Sequence, residues 1–329
     1  MKTLINLANS CNKGIASLYG KILFEGNAAR ATDAEMHAVT EGDWQFDCAT
    51  VVDVVQIKSA MALSKKPVWS GDTLNGVKLV NVGDANDFPM LPECKGARIE
   101  CADLPAKLAQ VLPAMAGSDI RYYLKGLCFD HSERAIVGCD GHRLHIVKNA
   151  YTSTLTGQAT VPDVAFKIIG AKNIIHMDFT ATHCRIGYAG GYLITRLVDG
   201  KYPDYSRILP ADTARPNVVQ FDGVQTAAAH SMVQVIKAHK TKYGAVVISA
   251  DGALSAYDIT VPCFDHWTMS PPATLKEGQS APAIYGINAA YLRDAMQCAD
   301  HGTIAVDTAN DSILVANGNF RAVVMPCRV

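Results

Sequence analysis

The sequence predicts an α+β chain of three tandem modules, each with two helices packed on antiparallel sheet. Three observations carry this. Segments recur at a period of roughly 110 residues, a third of the 329-residue chain. Apolar residues take helical spacing at the same places in successive periods, and paired β-rich runs lie between them. Helices that alternate with hairpins, not with single strands, argue for antiparallel sheet. The modules divide as 1–96, 97–211 and 212–329.

The opening helix of each module comes first. Leu104, Leu108, Val111, Leu112 and Met115 give one over 103–117, and Val224, Ala227, Met232, Val235 and Ile236 give another over 222–238. Asp103 and Asp222 stand at their N-caps. The first module is shorter. Its opening helix must fit within 4–17 and includes Gly14, and the module shows no obvious opening strand.

A hairpin follows. Leu18-Tyr19-Gly20-Lys21-Ile22-Leu23-Phe24 precedes Ala31-Thr32-Asp33-Ala34-Glu35-Met36, and Leu124-Lys125-Gly126-Leu127-Cys128-Phe129 precedes Gly138-Cys139-Asp140-Gly141-His142-Arg143-Leu144. Lys242-Tyr243-Gly244-Ala245-Val246-Val247 precedes Ala256-Tyr257-Asp258. Turns are expected at Asn27-Ala28, His131-Ser132 and Asp251-Gly252. Second helices are expected over 51–62, 162–171 and 288–298: Thr50-Val51-Val52-Asp53-Val54-Val55, Thr160-Val161-Pro162-Asp163-Val164-Ala165 and Gly286-Ile287-Asn288-Ala289-Ala290-Tyr291 share one slot. Phe88-Pro89, Tyr202-Pro203 and Met325-Pro326 close the modules.

Composition narrows the function. Hydrophobic residues make up 49% and charged residues 19%, which excludes a disordered chain. No apolar run approaches the roughly 18–20 residues of a membrane span, and Met1–Leu7 turns polar too soon for a signal peptide. A cytoplasmic chain without membrane contact is expected. Net charge is −1, so nucleic-acid binding by bulk basicity is not expected. Charge is nevertheless uneven. The six helical segments and their flanks hold 13 basic residues (Lys13, Lys21, Lys58, Lys65, Lys66, Lys107, Arg121, Lys167, Lys172, Lys237, Lys240, Lys242, Arg293) and 7 acidic ones, a net of +6. Solvated helix faces that simply favour lysine would show the same excess.

Catalytic signatures are absent: no Walker A, G-x-S-x-G, H-E-x-x-H or G-x-G-x-x-G sequence occurs, and the ten cysteines form no C-x-x-C. Cys139, His142 and His145 have a metal-like spacing. Were 138–147 one strand, His142 would face away from the other two. No metal or other cofactor is expected.

Asp119-Ile120-Arg121-Tyr122-Tyr123-Leu124, Asp140-Gly141-His142-Arg143-Leu144, Leu197-Val198-Asp199-Gly200-Lys201-Tyr202-Pro203-Asp204-Tyr205 and the terminal Val323-Val324-Met325-Pro326-Cys327-Arg328-Val329 together resemble the bacterial β sliding clamps, processivity subunits of DNA polymerase III. The resemblance runs from about residue 18 to the C-terminus and is weakest in the first module. It implies three DNA-clamp-fold domains forming part of a homodimeric ring, with helices lining a hole for double-stranded DNA. It also implies a non-catalytic role with a replicative polymerase, a clamp loader and other clamp-motif proteins as partners. The DNA-facing residues it implies are Arg121, Tyr122 and Tyr123, at the end of their helix, with Lys107, Lys167, Lys172, Lys237 and Lys240 among the basic helical residues.

A peptide-binding groove is implied by the same resemblance. Its matching positions in the middle module are Leu124, Gly141, His142, Arg143, Leu144, Pro203, Arg207 and Ile208. In the last they are Tyr243, Asn288, Tyr291, Ser312, Val323, Val324, Met325, Pro326 and Arg328. Cys139 stands where the family favours threonine, Cys327 where it favours methionine and Val329 where it favours leucine. Lys237-Ala238-His239 is basic where the family has an apolar seam pair. The alternatives are a clamp-like protein that binds clients without encircling DNA, and a metal-dependent hydrolase of unknown substrate.

Overall fold

In the computed structural model the opening helix of the first module, α1 (Lys2–Ser10), buries Leu4, Leu7 and Ala8 and leads into the hairpin Lys21–Glu25 and Ala28–Thr32. The structure describes residues 1–10, 18–42, 44, 46–64, 66–117, 119–210, 217–238, 245–248, 254–257, 267–268, 285–306 and 311–326. The predicted turn at Asp251-Gly252, Gly14 and His239 lie outside them.

Five further α-helices follow among the described residues: α2 (Val54–Ala62), α3 (Leu104–Val111), α4 (Asp163–Ile169), α5 (Gly223–Ala238) and α6 (Ala289–Ala299). Asp53, Asp222 and Asn288 cap α2, α5 and α6 by accepting N–H bonds from the first turn. The expected helix over 103–117 stops sooner, since a 3-10 turn at Leu112–Ala114 tightens around Pro113. Gly170, at φ +78°, ends α4.

The chain divides into two compact units. One comprises Met1–Pro105, Thr152–Leu155 and Val161–Val198; the other comprises Ala106–Tyr151, Thr156–Thr160 and Asp199–Val329. The first unit holds an eight-stranded sheet in the order Thr50–Asp53, Lys21–Glu25, Ala28–Thr32, Met36–Glu41, Gly191–Arg196, His183–Tyr188, Ile174–Phe179 and Ala97–Arg98. The sheet of the second runs Gln158–Pro162, Gly126–Asp130, Ala135–Cys139, Arg143–Val147, Phe320–Val324, Ile313–Asn317, Gly302–Val306 and Asn217–Phe221. Strands joined by hairpins, and strands that meet across modules, run antiparallel. A four-stranded sheet ends on Trp267–Thr268, and a three-stranded one is built from the two-residue strands Trp69–Ser70, Thr73–Leu74 and Val77–Lys78.

One rule builds both large sheets. The hairpin half of one sequence module continues, through a single antiparallel edge, into the closing strands of the next. Met36–Glu41 pairs with Gly191–Arg196, and Arg143–Val147 pairs with Phe320–Val324. Helices follow the same rule. Asn6 on α1 donates to the Ile168 carbonyl on α4 at 2.9 Å, and Gln110 on α3 donates to the Cys298 carbonyl on α6 at 3.0 Å. Sequence modules and compact units therefore differ in outline. Buried side chains such as Leu4, Ile22, Phe24, Ile57 and Phe179 in the first unit, and Leu108, Phe129 and Leu292 in the second, contribute about 1.5–3 kcal/mol each.

Candidate functional site

Residues 138–147 are not one strand. Asp140 breaks the run: its Oδ1 accepts the N–H of His142 at 2.9 Å and of Arg143 at 3.0 Å, while Gly141 takes φ +86°. Cys139 consequently pairs across the turn with Leu144, and Gly138 with His145. The His142 ring stacks on Tyr291 at 6.4 Å, whereas His145 is buried with Nδ1 2.8 Å from the Gln110 carbonyl. Burial pushes its imidazole down to about 4. Among the described residues no three His, Cys, Asp or Glu side chains are arranged to hold a metal ion.

Part of the predicted groove set lies around this turn, on both faces of the sheet. Register places Leu144 opposite Val323 and Arg143 opposite Val324, and the Met325 N–H donates to the His142 carbonyl at 3.0 Å. Alternation then sorts them. Leu144 and Val323 face one core, shared with Leu124, Tyr202 and Tyr205 and flanked by Leu209. Arg143 and Val324 face α6.

On the α6 face Arg143 is sealed. It bonds Asp140 at 3.0 Å, Asp294 at 2.6 Å and the Pro113 carbonyl, and its guanidinium sits 4.3 Å over the Tyr291 ring. Asp294 also binds Arg293 at 2.9 Å. Asn288 caps α6, and Pro326 bridges to Ile287. On the other face Pro203, Arg207 and Ile208 are exposed on a segment anchored by Tyr205, whose hydroxyl donates to Asp130 at 3.0 Å. Arg207 pairs with Asp204 at 3.0 Å.

Leu124, Leu144, Val323 and Val324 are buried, so the accessible part of the predicted set is Gly141, His142, Pro203, Arg207, Ile208, Asn288, Met325 and the edges of Tyr291 and Pro326. Ser312 is half-buried just before the strand Ile313–Asn317. Tyr243 and Arg328 lie outside the described residues. A cleft of about 640 Å³ opens behind the 203–210 segment, lined by Asp130, Glu133, Lys148, Gln158 and Tyr205 among others. None of its lining belongs to the predicted groove.

Arg121, Tyr122 and Tyr123 are not at the end of α3; they sit on a separate 3-10 turn, Tyr122–Leu124. Pro113 and the residues after it carry the chain out of helical geometry first. Tyr122 is 58% exposed while Tyr123 packs on the core. Arg121 pairs with Asp119 at 2.7 Å, which holds that carboxyl below its usual range. Lys107 donates to the Ala150 carbonyl, Lys167 to the Asp163 carboxylate, and Lys172 and Lys237 are exposed. Lys240 lies outside the described residues. Lys21 begins a strand, so the α-helices among the described residues carry six basic residues (Lys2, Lys58, Lys107, Lys167, Lys237, Arg293), one on each, and two acidic ones.

Two residues that sequence reasoning missed organise the site. Asp294 lies 151 positions from Arg143, and nothing in the sequence links them. Asp130, which anchors Tyr205, had only its place at the end of a strand as a signal.

Residues 98–204 match the family of the DNA polymerase III beta subunit, central domain. Against a crystal structure of the DNA polymerase sliding clamp from Pseudomonas aeruginosa, all of this chain superposes on 97% of that one, with TM-score 0.76 and 23% identity. The chain has the sliding-clamp fold. A C. crescentus beta sliding clamp covers 100% of the chain at TM-score 0.79 and 19% identity, with 96% of that clamp matched. In sequence, the beta sliding clamp of Pseudomonas putida is 29% identical over 139 residues, 38% of this chain and 38% of that protein. The clamp of Vibrio cholerae is 24% identical over 262 residues, 74% of this chain and 69% of that protein. The match thus spans about two fifths of the P. putida protein's length. The fold likeness extends along the whole chain, including the first module, where the sequence resemblance is weakest.

Proposed function

We propose that the chain acts as a sliding clamp. It encircles double-stranded DNA as a homodimeric ring, accepts a loader, and tethers a replicative polymerase and other clients through the groove around Asp140–Leu144 and the last strand, catalysing no reaction itself. The observation that carries the reading is the junction rule. Two successive junctions join the hairpin half of one module to the closing half of the next. Among the described residues the third hairpin half, whose sheet ends on Trp267–Thr268, is joined to no closing strands of another module. A second copy supplies them, and a head-to-tail contact of this kind closes into a ring when the rotation permits.

The charge pattern suits this role. A closed ring keeps DNA by topology, so one cation per helix is enough, and more would add salt-dependent drag through counterion release. The test is loading onto circular and linearised DNA. Retention on the circle that vanishes on cutting is expected; equal retention on both refutes encirclement.

A further inference from the structure

We propose that the first unit carries a second peptide-docking pocket, at its own copy of the turn that organises the groove. The two turns match bond for bond. Asp33 Oδ1 accepts the N–H of Glu35 at 3.1 Å and of Met36 at 2.6 Å, as Asp140 does for His142 and Arg143. Ala34 takes φ +75°, as Gly141 takes φ +86°. The Arg196 N–H donates to the Glu35 carbonyl at 3.0 Å, as the Met325 N–H does to that of His142 at 3.0 Å. Met36 pairs with Thr195 where Arg143 pairs with Val324. Pro162 stands at the N-cap of α4 where Asn288 caps α6.

What fills the two places differs. At the groove, Arg143 and His142 close on Tyr291, three residues past the cap. At the first unit the residue three past the cap is Ala165, too short to reach the turn, and the residues at the turn are Met36 and Glu35. A cavity of about 420 Å³ is open there, lined by Ser10, Asp33, Glu35, Met36, Pro162, Val164, Thr195, Arg196, Leu197 and Val198. That is within the roughly 300–1,000 Å³ of ligand sites.

Its chemistry selects the occupant. Met36, Pro162, Val164, Leu197 and Val198 make an aliphatic floor that takes a leucine or phenylalanine anchor. Asp33 is committed to its turn, and the burial of its carboxyl pushes it up. Glu35 is the rim charge: it is exposed, and its nearest cation, Arg196, stands at 4.0 Å. An exposed pair at that distance contributes little, so a lysine of the incoming chain can replace Arg196. The occupant is a short peptide with an apolar anchor and a basic flank. The inference rests on the turn equivalence and not on occupancy of the groove in the second unit.

The experiment is a titration of the full chain with a fluorescein-labelled decapeptide carrying a Leu-x-Leu-Phe core and lysine at each end, beside the same peptide with glutamate ends. Two peptides per chain are expected. Val164→Arg, at a half-exposed helix position, and Glu35→Lys, at an exposed turn position, should each remove one of them. Deletion of 325–329 should remove only the other. Glutamate ends should weaken the pocket's share about fivefold, the worth of one exposed pair. Loss of a binding event in Val164→Arg, with tail deletion having no effect, keeps the pocket and removes the groove. One peptide per chain, unchanged by both unit-one substitutions, overturns the pocket whatever the tail deletion does.

Discussion

Lowering the pH from 7 to 4 should destabilise the second unit through His145. The ring is fully buried, with Nδ1 bonded to the Gln110 carbonyl at 2.8 Å and its face edge-on to Phe320 at 5.4 Å. Desolvation brings its pKa down from 6.5 to about 4, so the folded chain refuses a proton that the unfolded chain binds. Stability from this group is complete above pH 6.5 and is lost as the pH falls toward 4. Two and a half pKa units correspond to about 3 kcal/mol, a large part of a domain's stability of roughly 5–15 kcal/mol. The assay is urea unfolding followed by circular dichroism at half-unit steps of pH, for the wild type and for His145→Asn. The variant keeps an N–H donor near Nδ1 but does not titrate. His37, His131 and His176, also held below the ordinary value by burial, are common to both proteins and cancel in the difference. Wild type should lose about 3 kcal/mol more than the variant between pH 6.5 and 4. Parallel curves would sink the reasoning.

Three further outcomes are expected. Removing 325–329 should abolish peptide binding at the groove while the far-ultraviolet dichroism stays unchanged, because the strand Phe320–Val324 keeps its partners on both sides. Gly138→Ala should cost about 1–3 kcal/mol in urea unfolding, since its Cβ would lie 2.6 Å from the Val111 carbonyl oxygen, a backbone atom that cannot swing aside. Changing Lys237, Lys240 and Lys242 together to glutamine should lower the slope of log binding against log salt by about 0.9 for each phosphate left without its lysine. An unchanged slope shows that these lysines do not touch DNA.

Much of the fold was legible because it rests on local chemistry. Apolar spacing located α5 and the repeat register located α6 almost to the residue, and Asp222 announced its cap. The turn at Asp140-Gly141 was not anticipated, although its side-chain acceptor and its glycine at φ +86° are both local. What depended on pairing across long separations was not legible. No local pattern tells Arg143 that Asp294 will meet it, or that the closing strands of one module will finish the sheet begun by the module before. Burial of the groove residues was hidden for the same reason. Leu144 and Val323 read as a wall for a ligand, yet the Tyr202–Leu209 segment folds over them and makes them core.

The repeat also explains how one scaffold holds two junctions of different character. Bonds that fix the backbone are kept in both: the aspartate at the head of the turn, the left-handed residue after it, and the N–H returned from the neighbouring strand. They must be kept, because a one-residue slip of register would turn every core side chain to the solvent. The side chains those bonds present are under no such constraint. Arg143 with Asp294 and Tyr291 draws α6 onto the turn, while Met36 with Ala165 leaves α4 apart from it and the space between open. A buried ion pair adds little net stability over well-packed apolar residues but is costly to break. The second junction is thereby held in one arrangement, whereas the pair of Glu35 and Arg196 at the first is exposed and 4.0 Å apart.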